Sequence, residues 1–256
     1  MIYIAFIIFT LAVVFFVFYQ WQYFMVFSPL YYRDAPLCRE CELLSITTDD
    51  GVKLEGALYE PKEICATLLV FVGRSHDAVG LINRFAQLYP RTRIITFNYR
   101  SYGKSEGVAN EKNLLLDGVK IAQLVQKNYG DFYLLGFSIG SSVAAYVASK
   151  VPPKALFLVG AFSSIASLAK IKYRIAFSYL IRYKFDTKVF MQKVEVPTYL
   201  FVSKADEIAY IESARELKKN IRNLQYYKEF ESLTHKELLW DTNVIYKCQT
   251  IINVII

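Results

Sequence analysis

Leu134-Leu135-Gly136-Phe137-Ser138-Ile139-Gly140 reads as the end of a buried strand, a tight turn with a serine at its tip, and the start of a helix. Before it, Asp131 to Leu135 form a short, largely apolar run of the kind that fills a central parallel strand. After it, Ser141 to Lys150 are rich in small residues and read as helix. Between them lies Gly-x-Ser-x-Gly. In such a turn the serine is held strained so that its hydroxyl stands clear of the sheet. Gly136 and Gly140 must lack side chains because strand and helix backbones pass close together there. The N–H groups that follow, at a helix N-terminus, can hold a developing negative charge. Without chemistry the same pattern is only a glycine-rich turn, so the residues around it carry the decision.

The 256 residues leave room for one large α/β domain or two small ones, and a hydrophobic fraction of 54% excludes a disordered chain. The net charge of +7 is spread along the chain. It suits an anionic membrane surface. No recognition motif accompanies it, so nucleic acid is not expected as a partner. Cys38-x-x-Cys41 has the spacing of a redox pair or half a metal site, but no second pair and no nearby histidine completes a zinc set. No metal or other cofactor is expected. Cys38, Cys41, Cys65 and Cys248 then read as four free thiols in a reducing compartment.

Met1 to Tyr32 carry no charged side chain, and Ile2 to Phe18 are apolar apart from Tyr3 and Thr10. As a helix this stretch is long enough to cross about 30 Å of hydrocarbon. Trp21, Tyr23 and Phe24 fit the interfacial belt. A cleaved signal peptide fits less well, since there is no basic n-region and the apolar run is too long. A core helix is the third reading. The expectation is a membrane anchor over residues 1–27 and a linker over 28–41, with the catalytic domain over 42–256. The first charges lie on the C-terminal flank (Arg33, Asp34, Arg39 and Glu40), which on positive-inside counting leaves the domain in the cytoplasm.

Strand-like runs follow at Glu42–Thr48 and Val52–Glu60 around an Asp49-Asp50-Gly51 hairpin signal, and at Ala66–Val72, Arg93–Phe97, Ala155–Val159, Pro197–Ser203 and Leu224–Phe230. Helical patterns at Val79–Leu88, Asn113–Asn128 and Ile211–Asn220 alternate with them, which predicts a mostly parallel sheet with helices on both faces. Residues 161–193 interrupt the alternation as a mostly helical, basic and aromatic cap.

A serine nucleophile needs a general base, and the base needs an orienting carboxylate, in the chain order Ser, Asp or Glu, His. His235 is the only histidine after Ser138. It follows the last strand, and Asp206 follows the strand before it, where catalytic groups collect in open α/β sheets. The competing readings are a solvated loop histidine and an aspartate capping the helix before Ile211. Asp186 and Glu207 are the rival acids. The N–H of Ile139 and, from the turn after Val72, the backbone of Arg74 are the expected oxyanion donors. His76, in the same turn, is a candidate to line the entrance.

At these residues the chain resembles membrane-anchored α/β-hydrolase domain proteins, the serine-aminopeptidase-like branch that includes acyl-protein thioesterases. Asn98-Tyr-Arg-Ser-Tyr-Gly-Lys-Ser-Glu-Gly107 is similar to that group's Asp-Tyr-Arg-Gly-Tyr-Gly-x-Ser-x-Gly loop, and Ala161-Phe-Ser-Ser164 to its segment after the sixth strand. The chain departs from the group at Val72-Gly73-Arg74, where His-Gly and then Asn are usual, and at Ser141, Ser203 and Thr234, where glycine is usual. The resemblance implies an α/β-hydrolase fold with a small cap after an N-terminal transmembrane helix. It implies a serine hydrolase cleaving an ester or thioester through Ser138, His235 and Asp206. Tyr173, Phe177, Tyr179 and Leu180 are candidates to shape an acyl pocket, with aromatic core packing the equal alternative. Lys170, Lys172, Arg174, Arg182 and Lys184 are candidates to face anionic headgroups of membrane lipid, with a solvated basic face the alternative. The alternatives are a catalytically silent hydrolase-fold scaffold and an aminopeptidase-like peptidase.

Overall fold

The computed structural model describes residues 2–33, 35–174 and 180–253. In chain order the elements are α1 (Ile2–Val26), β1 (Cys41–Thr47), β2 (Lys53–Tyr59), β3 (Ala66–Phe71), α2 (Ile82–Leu88), β4 (Thr92–Phe97), α3 (Glu111–Tyr129), β5 (Tyr133–Phe137), α4 (Ile139–Ala148), β6 (Leu156–Val159), α5 (Ile165–Tyr173), α6 (Thr187–Met191), β7 (Thr198–Ser203), α7 (Ile211–Lys218), β8 (Leu224–Phe230), α8 (His235–Trp240) and α9 (Thr242–Ile252). One sheet holds all eight strands in the order β1-β2-β4-β3-β5-β6-β7-β8. β1, β2 and β4 pair antiparallel, and from β4 onward every pairing is parallel.

The central strands are apolar on both faces because each face has its own core. Leu69 and Phe71 of β3 join residues of α3, α4 and α7 on one side, while Leu68 and Val70 join residues of α2, α8 and α9 on the other. Burial on both faces replaces the usual alternation of polar and apolar residues with a continuous apolar run. At the Ser138 turn the strand runs two residues further than expected, to Phe137, and the helix begins two residues earlier, at Ile139. Gly136 still pairs with Leu158 and Phe71 in the ladders, so the whole turn is made by Ser138 alone.

α1 leaves its first five turns exposed and buries only its last one: Gln22 and Val26 are buried, and Phe27 just beyond is 1% exposed. The segment expected as a linker is strapped along the domain. Ser28 N–H donates to the Tyr102 hydroxyl at 2.9 Å, Gly103 N–H to the Leu30 carbonyl at 2.9 Å, and Tyr32 N–H to Asp77 at 3.2 Å. Arg33 bridges Glu55 and Asp77.

The reading of four free thiols is overturned. Cys38 and Cys41 form a disulfide, while Cys65 and Cys248 are free. A turn with Cys41 N–H on the Cys38 carbonyl at 3.0 Å brings the two Cα atoms to 5.0 Å, within the reach of a disulfide.

Candidate active site

Ser138 takes φ 55° and ψ −123°, the one strained residue between β5 and α4. Its N–H is fixed by the Val159 carbonyl at 3.0 Å, and its carbonyl accepts from Ser141 N–H at 2.9 Å. A Cβ on Gly136 would lie 2.5 Å from the Gly140 carbonyl oxygen, and one on Gly140 would lie 2.1 Å from the Phe71 oxygen. Only glycine leaves room for helix and strand to meet so closely. Ser141, where the resembling group favours a further glycine, turns its hydroxyl back onto the Ser138 carbonyl at 2.5 Å and so fits within the first turn.

Asp206 follows β7 and His235 opens α8 just beyond β8. The structure brings the two together: His235 Nδ1 lies 2.6 Å from Asp206 Oδ2, with Asp206 3% and His235 8% exposed. The other carboxylate oxygen of Asp206 accepts N–H groups from Ile208 at 2.8 Å and Ala209 at 2.7 Å. Asp206 therefore closes the turn before α7 and meets the imidazole at once. The N-cap of α7 is Tyr210, so the helix-capping reading of Asp206 is replaced by this turn. The His235 ring lies 4.9 Å from the ring of Phe137, the neighbour of Ser138, and Gly160 leaves the space beside it. Among the described residues no hydrogen bond joins the Ser138 hydroxyl to the ring; such contacts are often loose until substrate is bound.

His235 is fixed by a feature present but unread in the sequence. Thr234-His-Lys-Glu237 is a capping box, with Glu237 N–H on the Thr234 hydroxyl at 3.4 Å and Thr234 N–H on the Glu237 carboxylate at 2.7 Å. The threonine that stands where the resembling group has glycine thus starts the helix that carries the histidine.

Ser138, Ile139 and Arg74 line one cavity of about 460 Å³, together with Glu207, Ile208 and Tyr210, the cap residues Phe162, Ile165, Leu168, Ala169, Lys172 and Tyr173, and residues of α1. The oxyanion candidates Ile139 and Arg74 thus both border the space above Ser138. The Arg74 side chain donates to the Met25 carbonyl at the end of α1, where a cation also complements the helix dipole. Of the rival acids, Glu207 lines the cavity but Asp186 does not. Asp186 neighbours Lys188 and Glu216, and burial holds its carboxyl above the usual range. His76 does not line this cavity. It packs edge-on against Phe137 at 5.6 Å and borders a separate depression with Tyr32 and Asp77. Burial, then the nearby charges of His235 and Lys236, push its ring below the ordinary range.

The participation of α1 was missed. Trp21, Phe24, Met25 and Val26 line the same cavity as Ser138. The clue was the pair Gln20 and Gln22, amide side chains near the end of a largely apolar stretch, and Gln22 is the buried one. Its amide donates to the Leu180 carbonyl at 2.9 Å and accepts from Arg182 N–H at 2.7 Å. Of the expected pocket residues, Tyr173 lines the cavity and Leu180 contributes this carbonyl, while Phe177 and Tyr179 lie outside the described residues. Of the basic residues, Lys172 lines the cavity, and Arg182 stacks over Tyr19 of α1 at 4.6 Å.

No family model matches the chain. It is 32% identical over 84 residues to the lysophosphatidylserine lipase ABHD12 of Danio rerio, covering 30% of this chain and 22% of that protein. It is 30% identical over 116 residues to the membrane protein YNL320W of Saccharomyces cerevisiae, covering 43% and 40%. The chain therefore spans less than half the length of these relatives. The Pyrococcus furiosus esterase Pf2001 superposes with a TM-score of 0.68 at 16% identity, covering 87% of this chain and 97% of that one. At that identity the likeness concerns the fold. The eight-stranded, mostly parallel sheet, its helical layers and these similarities agree: the chain has the α/β-hydrolase fold, preceded by an apolar helix long enough to cross a membrane.

Proposed function

We propose that this chain is a membrane-anchored serine hydrolase that cleaves a carboxylic ester of a lipid acyl chain. The observation that carries the reading is the buried His235–Asp206 pair at 2.6 Å, its imidazole packed 4.9 Å from the ring of Phe137, the residue before the strained Ser138. With Nδ1 turned to Asp206, Nε2 of His235 is the nitrogen left to take a proton from Ser138. Asp206, itself held by two N–H groups, fixes the tautomer and ring orientation. Ser138 Oγ attacks the acyl carbonyl, and the N–H groups of Ile139 and Arg74 hold the oxyanion. The proton on His235 passes to the leaving alcohol. Water, deprotonated by the same ring, then releases the acid from Ser138.

A thioester would be attacked by the same groups. An oxygen ester of a lipid is favoured by the apolar lining of the cavity and by the relative's activity as a lysophosphatidylserine lipase.

Fluorophosphonate labelling of the full chain tests the reading. Wild type is expected to label and Ser138→Ala not to. Ester turnover should fall roughly a millionfold in Ser138→Ala and about ten-thousandfold in Asp206→Asn. Absence of labelling in wild type, or equal labelling of Ser138→Ala, would leave a silent scaffold as the better reading. Release of N-terminal amino acids without ester cleavage would make it a peptidase.

A further inference from the structure

Beside the Ser138 cavity lies a second, apolar groove of about 260 Å³ between α1 and α5. The two spaces share Trp21, Met25 and Val26 of α1 and Ile165, Ala169 and Tyr173 of α5, so the groove adjoins the cavity along these residues. Each helix supplies a single stripe: Ile165, Ala169 and Tyr173 recur at every fourth residue, and Phe18, Trp21 and Met25 at every third or fourth. Ala169 is the small residue in the middle, where the walls stand apart. Phe18 and Ile181 border the groove but not the Ser138 cavity, so they mark its far end.

Most of the groove's lining is aliphatic or aromatic, and Gln22 is its one amide among the described residues. Both ends of the Gln22 amide are bonded to the backbone at Leu180 and Arg182, which fastens α1 to the cap. The outer wall belongs to a helix whose preceding turns are exposed and largely apolar, from Ile2 to Val17. In a bilayer that end of the groove opens toward hydrocarbon.

We propose that α1 is half of the acyl-binding site: the acyl chain of a membrane lipid lies between α1 and α5, with its carbonyl at Ser138 and its tail running along Phe18 toward the bilayer core. This rests on the hydrolase reading and extends it. The substrate class is a long-chain acyl ester that enters sideways, without its tail crossing water. Each methylene that reaches the groove should raise kcat/KM by roughly fourfold until the groove is filled.

The test uses the full chain in lipid nanodiscs. p-Nitrophenyl acetate and p-nitrophenyl palmitate are compared for wild type, Ile181→Trp and Phe18→Ala. Filling the far end with tryptophan should lower the palmitate-to-acetate ratio of kcat/KM at least tenfold. An unchanged ratio in folded Ile181→Trp overturns the proposal. Should that variant fail to fold, the second measurement decides. A palmitic acid bearing a terminal diazirine should cross-link to peptides containing Phe18–Met25 and Ile165–Tyr173, in wild type and in Ser138→Ala alike. Cross-links confined to other surfaces overturn the proposal as well. Cross-linking in the groove without any acetate hydrolysis would sink the hydrolase reading and leave the lipid site standing.

Discussion

His235 is the first residue of α8, and the Thr234–Glu237 hydrogen bonds that start this helix also set where the ring stands. Thr234→Ala should therefore cost about 1 kcal/mol of stability, typical of a lost N-cap. It should also lower kcat on a short ester while KM stays, with Thr234→Ser restoring both; urea denaturation and initial rates read the two effects. A second residue-scale expectation concerns His76. Its half-buried ring resists protonation, so its pKa lies below the ordinary 6.5 in the fold. As pH falls through 6.5 the unfolded chain binds this proton before the folded one does. The stability His76 contributes is thus complete above that pH and is lost as pH falls toward the folded value. Denaturation measured at several points between about pH 7.5 and 5 should fall less steeply in His76→Asn than in wild type. At this scale much was legible. Ser138, its two glycines, and the only histidine downstream could be read directly. The direction of the Arg74 side chain could not, because its partner is a backbone carbonyl of Met25, 49 positions away.

The loop Asn98–Gly107 shows what an element gains from one side chain. Arg100, between β4 and α3, donates to both oxygens of Asp117 at 2.8 Å each and to both oxygens of Asp50 at 2.7 and 2.8 Å. It ties the loop to α3 and to the β1–β2 hairpin, and its hydrogen bonds hold the Asp50 carboxyl well below the usual range. Asp117 is buried, so Arg100→Ala would strand its charge. A loss of about 3–5 kcal/mol is expected in chemical denaturation, the cost of breaking a buried pair. The strands and helices of the sheet were readable because two-sided burial writes plain apolar runs. The shift of two residues at the Ser138 turn was not. Gly136 looks like a turn residue by composition, yet it and Phe137 remain paired in the ladders.

For the whole molecule, the apolar helix announces its length in the sequence but not which of its turns face protein. Gln20 and Gln22 interrupt its apolar run near the end, but contact with the cap and with Arg74 is what distinguishes the last turns. Topology was read from Arg33 and Arg39 and from the cysteines, and both supports have changed. Arg33 has a structural role between Glu55 and Asp77, and Cys38 is bonded to Cys41. Alkylation of the freshly denatured, unreduced chain should therefore modify Cys65 and Cys248 and spare the other two; four modified cysteines would instead match a reducing cytoplasm.

The fastening of α1 through Gln22, Arg74 and the Ser28–Tyr102 bond has a kinetic consequence. A domain bolted to its helix in this way cannot swing off the bilayer on a flexible tether, so the mouth of the cavity keeps one height and one tilt. For the proposed reaction the relevant substrate concentration is then a mole fraction in two dimensions. Diluting a lipid ester with inert lipid in proteoliposomes, at constant bulk concentration, should slow turnover in proportion, whereas adding buffer should not.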